Sequence, residues 1–534
     1  ITIPPSFSKI ETAFDSCVNL KRIYIEEGGG RELSIDYGLY VCALDSIHIG
    51  RNIYYYDYSK RPMIENQSAI KYCFIGGNIN TNGAPLFSDC NVGKVVISNS
   101  VDTIQAAAFF NTSPDTLICQ NIHPTSMAVD ALVNSFVLVP SGSGTLYREH
   151  VAWKKNLIVD PQDTISFVKV KYPGTIIASM KQSGMMEPEN ICKLKIEGAI
   201  NLSDWNVLKA DFPHLYYLDL SSAVIDSIPS GQFKNNWKLN DIILPNTIGC
   251  IGDYAFTGCR NLRSKDLFFP ICTFVGKDAF AGSYVEGLSF GNSVVFGTGA
   301  LKGSKVKNVI FQQNANLGKG AFQDCKNLEY VAFNGTACNI DELAFSGCER
   351  LTSLVLPMNV GTIGMNAFRN CTGLLNLQLP QLGTKIGSYA FYGCSNLGNL
   401  ELQGKECVVD SYAFAKTGIK SLTVKEGVTS IGKYAFADCL NLEGKITLPN
   451  TVNQISEGLF KNCSLIDSVT LSDSVLCIDA NAFGDCTNLK TINLPPSLHT
   501  IEQGAFDGCV NLEEIDIPWG LVNFDGAFLN SNIK

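Results

Sequence analysis

From Phe233 onward, apolar and polar positions follow one pattern that returns about every 23 residues. Each copy is anchored by an aromatic residue, and neighbouring anchors are 22 to 24 residues apart. One interval of 42 residues divides into two of 21 if Leu301 takes the aromatic position. The anchoring aromatics are Phe233, Phe256, Phe280, Phe322, Phe345, Phe368, Phe391, Phe414, Phe436, Phe460, Phe483, Phe506 and Phe528. So regular a period predicts an array of stacked units and not one compact core.

Each unit contains a short strand and a turn. After the cysteine comes a segment of the form L-x-x-L-x-L-P, as in Leu351–Pro357 and Leu489–Pro495. Its fourth and sixth positions are apolar and its third and fifth are mostly polar, which is the alternation of a strand with one buried face. An Ile-Gly step and an Ala-Phe-x-x-Cys segment follow. We expect the latter segment to form a single helical or 3₁₀ turn.

These elements predict an α/β solenoid, because one unit cannot bury its own apolar face and stacking on its neighbours does so. The period lies within the ~20–29 residues of leucine-rich repeats. We therefore expect a right-handed leucine-rich-repeat superhelix with repeats of about 23 residues. Short parallel strands would line its concave face, and the single helical or 3₁₀ turns would lie opposite.

The pattern divides the chain into two predicted arrays. Residues 1–160 are interpreted as the C-terminal part of a first array with its closing cap, and residues 161–534 as a second array. In the second array, residues 161–230 form an opening cap region and residues 231–534 form about fourteen repeats. The opening region is expected to contain, in order, a helix, a strand, a helix and a strand within Tyr172–Met180, Cys192–Gly198, Leu202–Pro213 and Leu215–Ser222.

The repeated phrase resembles the BspA-like leucine-rich-repeat family, as in "IGDYAFTGCRNL", "IGSYAFYGCSNL" and "IEQGAFDGCVNL". The resemblance is continuous from Phe233 to Phe528 and returns in "IETAFDSCVNLKRIYI" at Ile10–Ile25. It implies a secreted or cell-surface protein of an anaerobic bacterium. Residues 137–159 also resemble the strand-plus-helix closure of this family, whose expected positions are matched by Val139, Pro140, Gly142, Tyr147, Trp153 and Ile158.

Composition narrows the function further. Hydrophobic residues make up 46% of the chain and charged residues 17%, which excludes a largely disordered protein. The formal charge of -9 disfavours nucleic acid and anionic membrane surfaces as partners. No apolar run approaches the ~20 residues that span a bilayer. The chain begins at Ile1 in mid-repeat style and stops without a closing cap, so we expect it to be part of a longer protein.

The twenty cysteines follow the repeat and show no C-x-x-C spacing. Eleven lie three residues after the aromatic residue of their repeat unit. Equivalent cysteines of stacked coils would lie ~4.8 Å apart, farther than the ~3.8 Å that a disulfide prefers. We expect buried thiols that act as small apolar residues and donate weakly to the backbone. The cysteines outside this phase, Cys250, Cys338, Cys407 and Cys477, are also expected to point inward. No residues are predicted to be catalytic or to bind a metal or cofactor.

The predicted binding surface is the exposed side of the strands, where side chains are not committed to the core. This strand strip comprises Tyr330, Ser353, Asn376, Gln378, Asn399, Glu401, Ser421, Thr423, Lys445 and Thr447. Most of these groups are neutral and form hydrogen bonds, which suits a protein or a glycan better than a polyanion. A second candidate is the aromatic run Tyr54, Tyr55, Tyr56 and Tyr58, which is either an exposed platform or part of the packing.

Three functions are consistent with these features. The first is a non-catalytic protein-binding module, expected to be an adhesin for a host matrix protein or another microbe. The second is a glycan-binding accessory protein, which the aromatic run and the neutral strip suggest. The third is a structural spacer. In each case we expect an extracellular or cell-surface protein that does not itself insert into the membrane.

Overall fold

The structure is a computed structural model that describes residues 1–534 except 12, 13, 15, 16, 29, 30, 37, 38, 40, 41, 58, 66–69, 106, 107, 113, 128–131, 133, 134, 186, 381, 382 and 534. The chain winds into a parallel β-solenoid of about 21 coils with little helix. The predicted leucine-rich-repeat fold is confirmed, with repeats of about 23 residues.

The strands up to residue 159 are β1 Thr2–Ile3, β2 Lys9–Glu11, β3 Arg22–Ile25, β4 Leu33–Asp36, β5 Ser46–Ile49, β6 Ile53–Tyr56, β7 Ile64–Glu65, β8 Ile70–Ile75, β9 Ile79–Asn80, β10 Phe87–Ser88, β11 Val92–Ile97, β12 Thr103–Ile104, β13 Phe109–Phe110, β14 Thr116–Cys119, β15 Ser126–Met127, β16 Phe136–Leu138 and β17 Leu157–Val159. Within the described residues the helices are α1 Gly144–Glu149, α2 Ile176–Gln182, α3 Leu202–Ala210 and a 3₁₀ turn at Pro188–Asn190.

The later strands are β18 Ile165–Val170, β19 Lys193–Ala199, β20 Tyr217–Val224, β21 Ser227–Ile228, β22 Asp241–Ile243, β23 Cys250–Ile251, β24 Leu267–Phe269, β25 Phe274–Val275, β26 Gly287–Phe290, β27 Val294–Phe296, β28 Asn308–Phe311, β29 Ala315–Leu317, β30 Tyr330–Phe333, β31 Cys338–Ile340, β32 Ser353–Val355, β33 Thr362–Ile363, β34 Asn376–Gln378, β35 Lys385–Ile386, β36 Asn399–Leu402, β37 Cys407–Val409, β38 Ser421–Val424, β39 Val428–Ile431, β40 Glu443–Thr447, β41 Gln454–Ile455, β42 Leu465–Thr470, β43 Cys477–Ile478, β44 Thr491–Asn493 and β45 Thr500–Ile501.

Two rows of strands run along the solenoid, with parallel pairing between successive coils. In the first array one row is the continuous sheet β1-β3-β5-β8-β11-β14-β16-β17, whose exposed side we call the first strand face. In the second array the equivalent row consists of β18, β19, β20 and the even-numbered strands from β22 to β44, and its exposed side is the second strand face. Odd-numbered strands from β21 to β45 form the other row.

The Ala-Phe-x-x-Cys segments are series of turns and not helical elements. The N–H of Phe256 donates to the carbonyl of Ala279 in the next coil at 2.6 Å, whereas the N–H of Cys259 closes a turn onto Phe256 at 3.2 Å. Tyr254 and Gly258 have φ of 58° and 69°, in the left-handed region. A continuous helix needs right-handed backbone at every residue, so two left-handed residues per coil exclude one here.

The anchoring aromatics form a continuous stack through the second array. Phe322 and Phe345 lie with ring centroids 4.9 Å apart and planes 1° from parallel. Leu301 is fully buried and takes the same position between Phe280 and Phe322, as the spacing predicted. The stack fills the space between coils and explains why the period varies so little.

The opening region contains the predicted elements in the predicted order. Helix α2, strand β19, helix α3 and strand β20 overlap the four segments expected from the sequence, and all but α3 end one or two residues beyond them. Asn201 starts α3 with a capping box, in which its side chain accepts from the N–H of Asp204 and the Asp204 side chain accepts from the N–H of Asn201. Helix α3 is therefore encoded locally by its capping box, whereas α2 depends on Asp204 of α3, which accepts from the N–H of Ile176 at 3.0 Å.

Buried apolar residues form two large clusters, one between Ile3 and Ile158 and one between Val168 and Ala527. A small third cluster joins Leu157 to Cys192 and Tyr216. The predicted domain boundary after residue 160 lies between the two large clusters and stays a prediction.

Candidate binding surfaces

The second strand face is exposed because successive side chains of a strand alternate between the core and solvent. In Asn399–Leu402 the first and third residues are exposed and the other two are buried. All ten residues of the strand strip are exposed. They occupy β30, β32, β34, β36, β38 and β40, so the strip continues across neighbouring coils.

Several polar groups of the strand strip bind each other. Ser421 donates a hydrogen bond to the side-chain oxygen of Asn399 at 2.8 Å, and the two residues face each other in register. Glu401 forms an ion pair with Lys425 at 2.5 Å. Because both of these charged groups are about half exposed, the pair contributes little to stability but orders the side chains.

Exposed apolar side chains lie before the strip, in β24, and beside it, in β32 and the turn that follows β32. Phe268, Val355 and Met358 are 50%, 59% and 71% exposed. The sequence analysis missed Phe268 because its unit, "NLRSKDLFFP", departs from the L-x-x-L-x-L-P form. The adjacent aromatics Phe268 and Phe269 could have predicted this exposed ring, because side chains alternate along a strand and one of two neighbours must face away from the core.

A groove of 590 Å³ opens where Val355 and Met358 meet the strand strip. Gln378 and Glu401 of the strip line the groove together with Val355 and Met358. The remaining lining residues are Leu356, Leu377, Leu379, Pro380 and Gln403. The groove therefore combines apolar contact area with amide and carboxylate groups, which is the usual chemistry of a recognition pocket.

The aromatic run lies partly in the core of the first array. Tyr55 is fully buried, and its hydroxyl donates to the carbonyl of Arg61 at 3.2 Å. Tyr54 and Tyr56 point to the other side of β6, are half-buried, and stack with centroids 6.3 Å apart. Tyr58 lies outside the described residues. An exposed platform in this run would therefore consist of Tyr54 and Tyr56, while Tyr55 serves packing.

A second aromatic group lies on the first strand face. The rings of Tyr24, His48 and Phe74 stack in sequence, with centroid distances of 4.1 and 4.5 Å. Parallel register aligns the three residues in β3, β5 and β8. Burial lowers the pKa of His48, and the nearby carboxylate of Glu27 opposes this only in part. The sequence analysis missed this aromatic stack because its members are 24 and 26 residues apart, in irregular coils.

The repeat cysteines are thiols that donate to the backbone, as predicted. All twenty are thiols outside any disulfide, and seventeen are buried. Cys371 donates from Sγ to the carbonyl of Phe345 in the preceding coil at 3.1 Å, and Cys394 does the same to Phe368 at 3.2 Å. Burial raises the pKa of the Cys394 thiol to about 12. These thiols are protonated at neutral pH and act as structural donors.

Among the described residues, one group has metal-ligand chemistry: the side chains of Cys477, Asp479 and Glu502, whose ligand atoms lie within 4.8 Å of one another. Burial, followed by the hydrogen bond to Asp479, raises the pKa of the Cys477 thiol to about 12. Glu502 accepts a hydrogen bond from the backbone N–H of Ala480 at 3.0 Å. Metal binding requires a thiolate, so the raised pKa opposes it here.

The two arrays contact each other where the chain passes from one to the other. Arg148 forms an ion pair with Asp163, and the hydroxyl of Tyr216 donates to the same carboxylate at 2.8 Å. Arg263 donates to the side-chain oxygen of Thr116 at 2.7 Å and to the carbonyl of Asp115. These contacts bring the last strands of the first strand face against the second array.

Comparison with known families identifies this repeat. The pattern described as the BspA type Leucine rich repeat region matches residues 1–114, 226–352, 294–410, 338–464 and 407–534. The chain belongs to the BspA-type leucine-rich repeat family. Members of this family are repeat proteins generally associated with protein interaction or the cell surface. The predicted resemblance is confirmed and now extends over most of both arrays.

Solved structures of bacterial leucine-rich repeat proteins are similar to parts of this BspA-type chain. A leucine-rich repeat protein from Bacteroides ovatus is 25% identical, with 58% of this chain and 87% of that chain covered and a TM-score of 0.46. One from Eubacterium ventriosum is 20% identical, with 63% and 89% covered and a TM-score of 0.34. A leucine rich cell surface protein from Faecalibacterium prausnitzii is 21% identical, with 58% and 83% covered and a TM-score of 0.27.

A comparison with curated proteins gives no match. In the part of the chain that the structure describes, no helix has the length and apolar character needed to cross a membrane.

Proposed function

We propose that this BspA-type chain is a non-catalytic protein-binding module, exposed at a bacterial surface or secreted, that binds its ligand with the second strand face. The observation that carries this proposal is the groove lined by Val355, Met358 and Gln378, where exposed apolar side chains adjoin the strand strip. Apolar anchors surrounded by hydrogen-bonding groups are the composition of protein recognition sites. The family resemblance supports the surface location.

The buried core beneath the groove holds the binding surface in a fixed conformation. Side chains under the groove, among them Leu354 and Leu400, are 1% and 2% exposed and pack in the continuous core. A rigid scaffold reduces the entropy that is lost on binding, because the binding side chains start close to their bound positions. Tyr330, which is 50% exposed on the same face, is the aromatic residue of the strip and a natural hot-spot candidate. The partner class that fits is an extended protein surface, such as a host matrix protein or the surface of another microbe.

The experiment that tests this proposal is binding of the purified chain to immobilised extracellular-matrix proteins, measured by biolayer interferometry. We expect saturable binding to one of them and a loss of about tenfold or more in affinity for the double variant Val355→Ser and Met358→Ser, equivalent to ~1.4 kcal/mol. Leu440→Ser with Leu476→Ser is the matched control, because these residues are 54% and 50% exposed outside the second strand face. No saturable binding, or an equal loss in both double variants, would contradict the proposal.

Glycan binding is the second candidate, and the stacked pair Tyr54 and Tyr56 favours it. Aromatic rings bind the apolar faces of sugars, and half-buried rings are already ordered. A glycan array with hits that disappear in Tyr54→Ala and Tyr56→Ala would move the ligand site to the first array. If neither matrix proteins nor glycans bind, the spacer becomes the better explanation.

A further inference from the structure

The first strand face carries exposed positive charge, although the whole chain has a formal charge of -9. Lys21, Arg22, Lys71 and Lys94 are exposed at the starts of strands β3, β8 and β11. None of the four forms an ion pair with any residue that the structure describes. These four residues, called the basic row below, are available for an external anion.

Strand pairing sets the spacing of the basic row. Arg22, Ser46, Tyr72 and Lys94 are aligned in register in four consecutive strands. Since neighbouring strands lie ~4.8 Å apart, the cations of Arg22 and Lys94 start from backbone positions roughly 14 Å apart. A ligand that reaches both must be extended and must lie across the strands.

Carboxylates nearby do not neutralise the basic row. Asp45 lies at the start of β5 between Lys21 and Lys71, whereas Glu26 and Glu27 follow the other end of β3, near His48. One described carboxylate therefore lies level with the four cations. The next coil contributes Asp115, which lies against Arg263. The row is therefore a local surplus of positive charge, and such surpluses attract anions over a Debye length of about 8–10 Å at physiological salt.

The aromatic stack of Tyr24, His48 and Phe74 adjoins the aligned row of Arg22, Ser46 and Tyr72, two residues farther along each strand and therefore on the same face. Tyr24 is 46% exposed and Tyr72 is 37% exposed, with the Lys94 ammonium 6.0 Å from the Tyr72 ring centroid. Rings that cover each other's faces present their edges outward, and ring edges carry partial positive charge. Because the pKa of His48 is lowered by burial, the imidazole is neutral at pH 7 and offers hydrogen bonds without charge.

We propose that the first strand face binds an acidic polysaccharide that lies across strands β3 to β11. Its carboxylate or sulfate groups pair with Arg22, Lys71 and Lys94, and its sugar rings rest against Tyr24 and Tyr72. An acidic polysaccharide is favoured over nucleic acid because the chain as a whole repels a long polyanion, whereas a few spaced anionic groups fit a short basic row. This site is on a different array from the protein-binding groove, so either can fail without the other.

The test is biolayer interferometry of the whole chain against immobilised heparin, hyaluronan, neutral dextran and poly(A) RNA. Heparin carries sulfates and hyaluronan only carboxylates, so the two arms identify the anionic group. We expect saturable binding to at least one of the two, no binding to dextran, and weaker binding to RNA. In the double variant Arg22→Ala and Lys94→Ala, affinity falls and the slope of log K against log salt decreases by about 2.

The matched control is Lys302→Ala with Lys405→Ala, which removes two exposed positive charges from the second array. If that pair lowers the affinity as much as Arg22→Ala with Lys94→Ala, the attraction is general and the proposed site is wrong. Tyr72→Ser should weaken binding without changing the salt slope, because it removes ring contact and no charge. Absence of binding to both acidic polysaccharides, or tighter binding to RNA, also overturns the proposal.

Discussion

At the scale of single residues, the stacked phenylalanines that anchor the repeats of the second array determine how well each coil packs on the next. Phe391 is fully buried, and its ring lies 5.0 Å from Phe368 and 5.1 Å from Phe414. We predict that Phe391→Ala lowers the free energy of unfolding by ~3–5 kcal/mol, because the stack cannot close over the cavity. Phe391→Leu should cost less, since Leu301 already occupies an equivalent position.

Urea denaturation followed by circular dichroism measures both changes. Phe268→Ala is the control, because that ring is 50% exposed and its removal leaves no cavity. An unchanged midpoint for Phe391→Ala would mean that the stack contributes little to stability.

The cysteine position requires a small side chain with a donor. Cys371 donates to the carbonyl of Phe345 in the preceding coil, and the equivalent positions in other coils are filled by Ser304 and Thr417. We predict that Cys371→Ser stays within about 1.5 kcal/mol of the native free energy of unfolding, because the hydroxyl replaces the donor. Cys371→Ala should be the less stable of the two in the same urea titration. If alanine proves equal to serine, the thiol contributes only volume.

The sequence predicted which residues of the repeat are buried, but it did not predict their hydrogen-bond partners. The spacing of the anchoring aromatics and cysteines gave their inward orientation, since a period of about 23 keeps them in phase. The acceptor of Cys371 lies 26 residues earlier in the chain, so its identity depends on how coils stack. Tyr55 shows the limit of local reasoning, because alternation places Tyr55 on the opposite side from Tyr54 and Tyr56 but does not say which side faces the core.

At the scale of elements, the Ala-Phe-x-x-Cys segments form turns because hydrogen bonds between coils determine their backbone more than helix propensity does. Ala-Phe segments are compatible with a helical turn, and one was expected. Asn370 and Gly393 instead adopt φ of 58° and 75°, and their N–H groups donate to the next coil at 2.8 and 3.0 Å. Glycine, asparagine and aspartate recur at this position because they tolerate left-handed backbone best. The recurrence of these residues in the sequence could therefore have predicted turns at this position.

The first helix depends on one carboxylate. Asp160 is 4% exposed and accepts from the N–H of Gly142 at 3.0 Å and of Gly144 at 2.7 Å, next to the start of α1. Burial alone would raise the pKa of Asp160, but these backbone donors, with Gln162 and Arg148, lower it. We predict that Asp160→Asn lowers the free energy of unfolding by about 1.5–3 kcal/mol at pH 7, because hydrogen bonds to a charged acceptor are replaced by weaker ones.

The pH dependence follows from the lowered pKa of Asp160. The carboxylate stabilises the folded state fully above its ordinary pKa of ~3.9, and this contribution is lost as the pH falls through the lower folded value. The difference in Tm between the native chain and Asp160→Asn should therefore be constant near neutral pH and shrink in acid. Asp473→Asn, at an exposed position, is the control and should show no such difference.

At the scale of the whole molecule, register between coils decides which residues share a surface. The strand strip was predictable because regular repeats place the same position of each unit in line. The first strand face was not, because irregular coils hide the alignment of Tyr24, His48 and Phe74. Contacts between the arrays could not be predicted from the sequence either, because Arg263 and Thr116 are 147 residues apart in the chain.

The side chain of Arg263, in the second array, forms a contact with the first array. Its guanidinium donates to Thr116 and Asp115 and lies 5.0 Å from the centroid of the Phe136 ring, so one side chain holds two neighbouring coils of the first array. Burial raises the pKa of Asp115, which Arg263 and Lys305 only partly oppose, and this is consistent with a contact that excludes water. We predict that Arg263→Ala loosens this contact while each array stays folded.

Hydrogen exchange measured by mass spectrometry checks this prediction. Amides of strand β14, from Thr116 to Cys119, should exchange faster in Arg263→Ala, and amides around Phe391 should not change. Arg350→Ala is the matched control, because its guanidinium is 63% exposed and lies 3.8 Å from the Glu329 carboxylate, at a surface pair worth little. Equal exchange in the native chain and Arg263→Ala would mean that the apolar contacts of Leu157, Cys192 and Tyr216 hold the arrays together on their own.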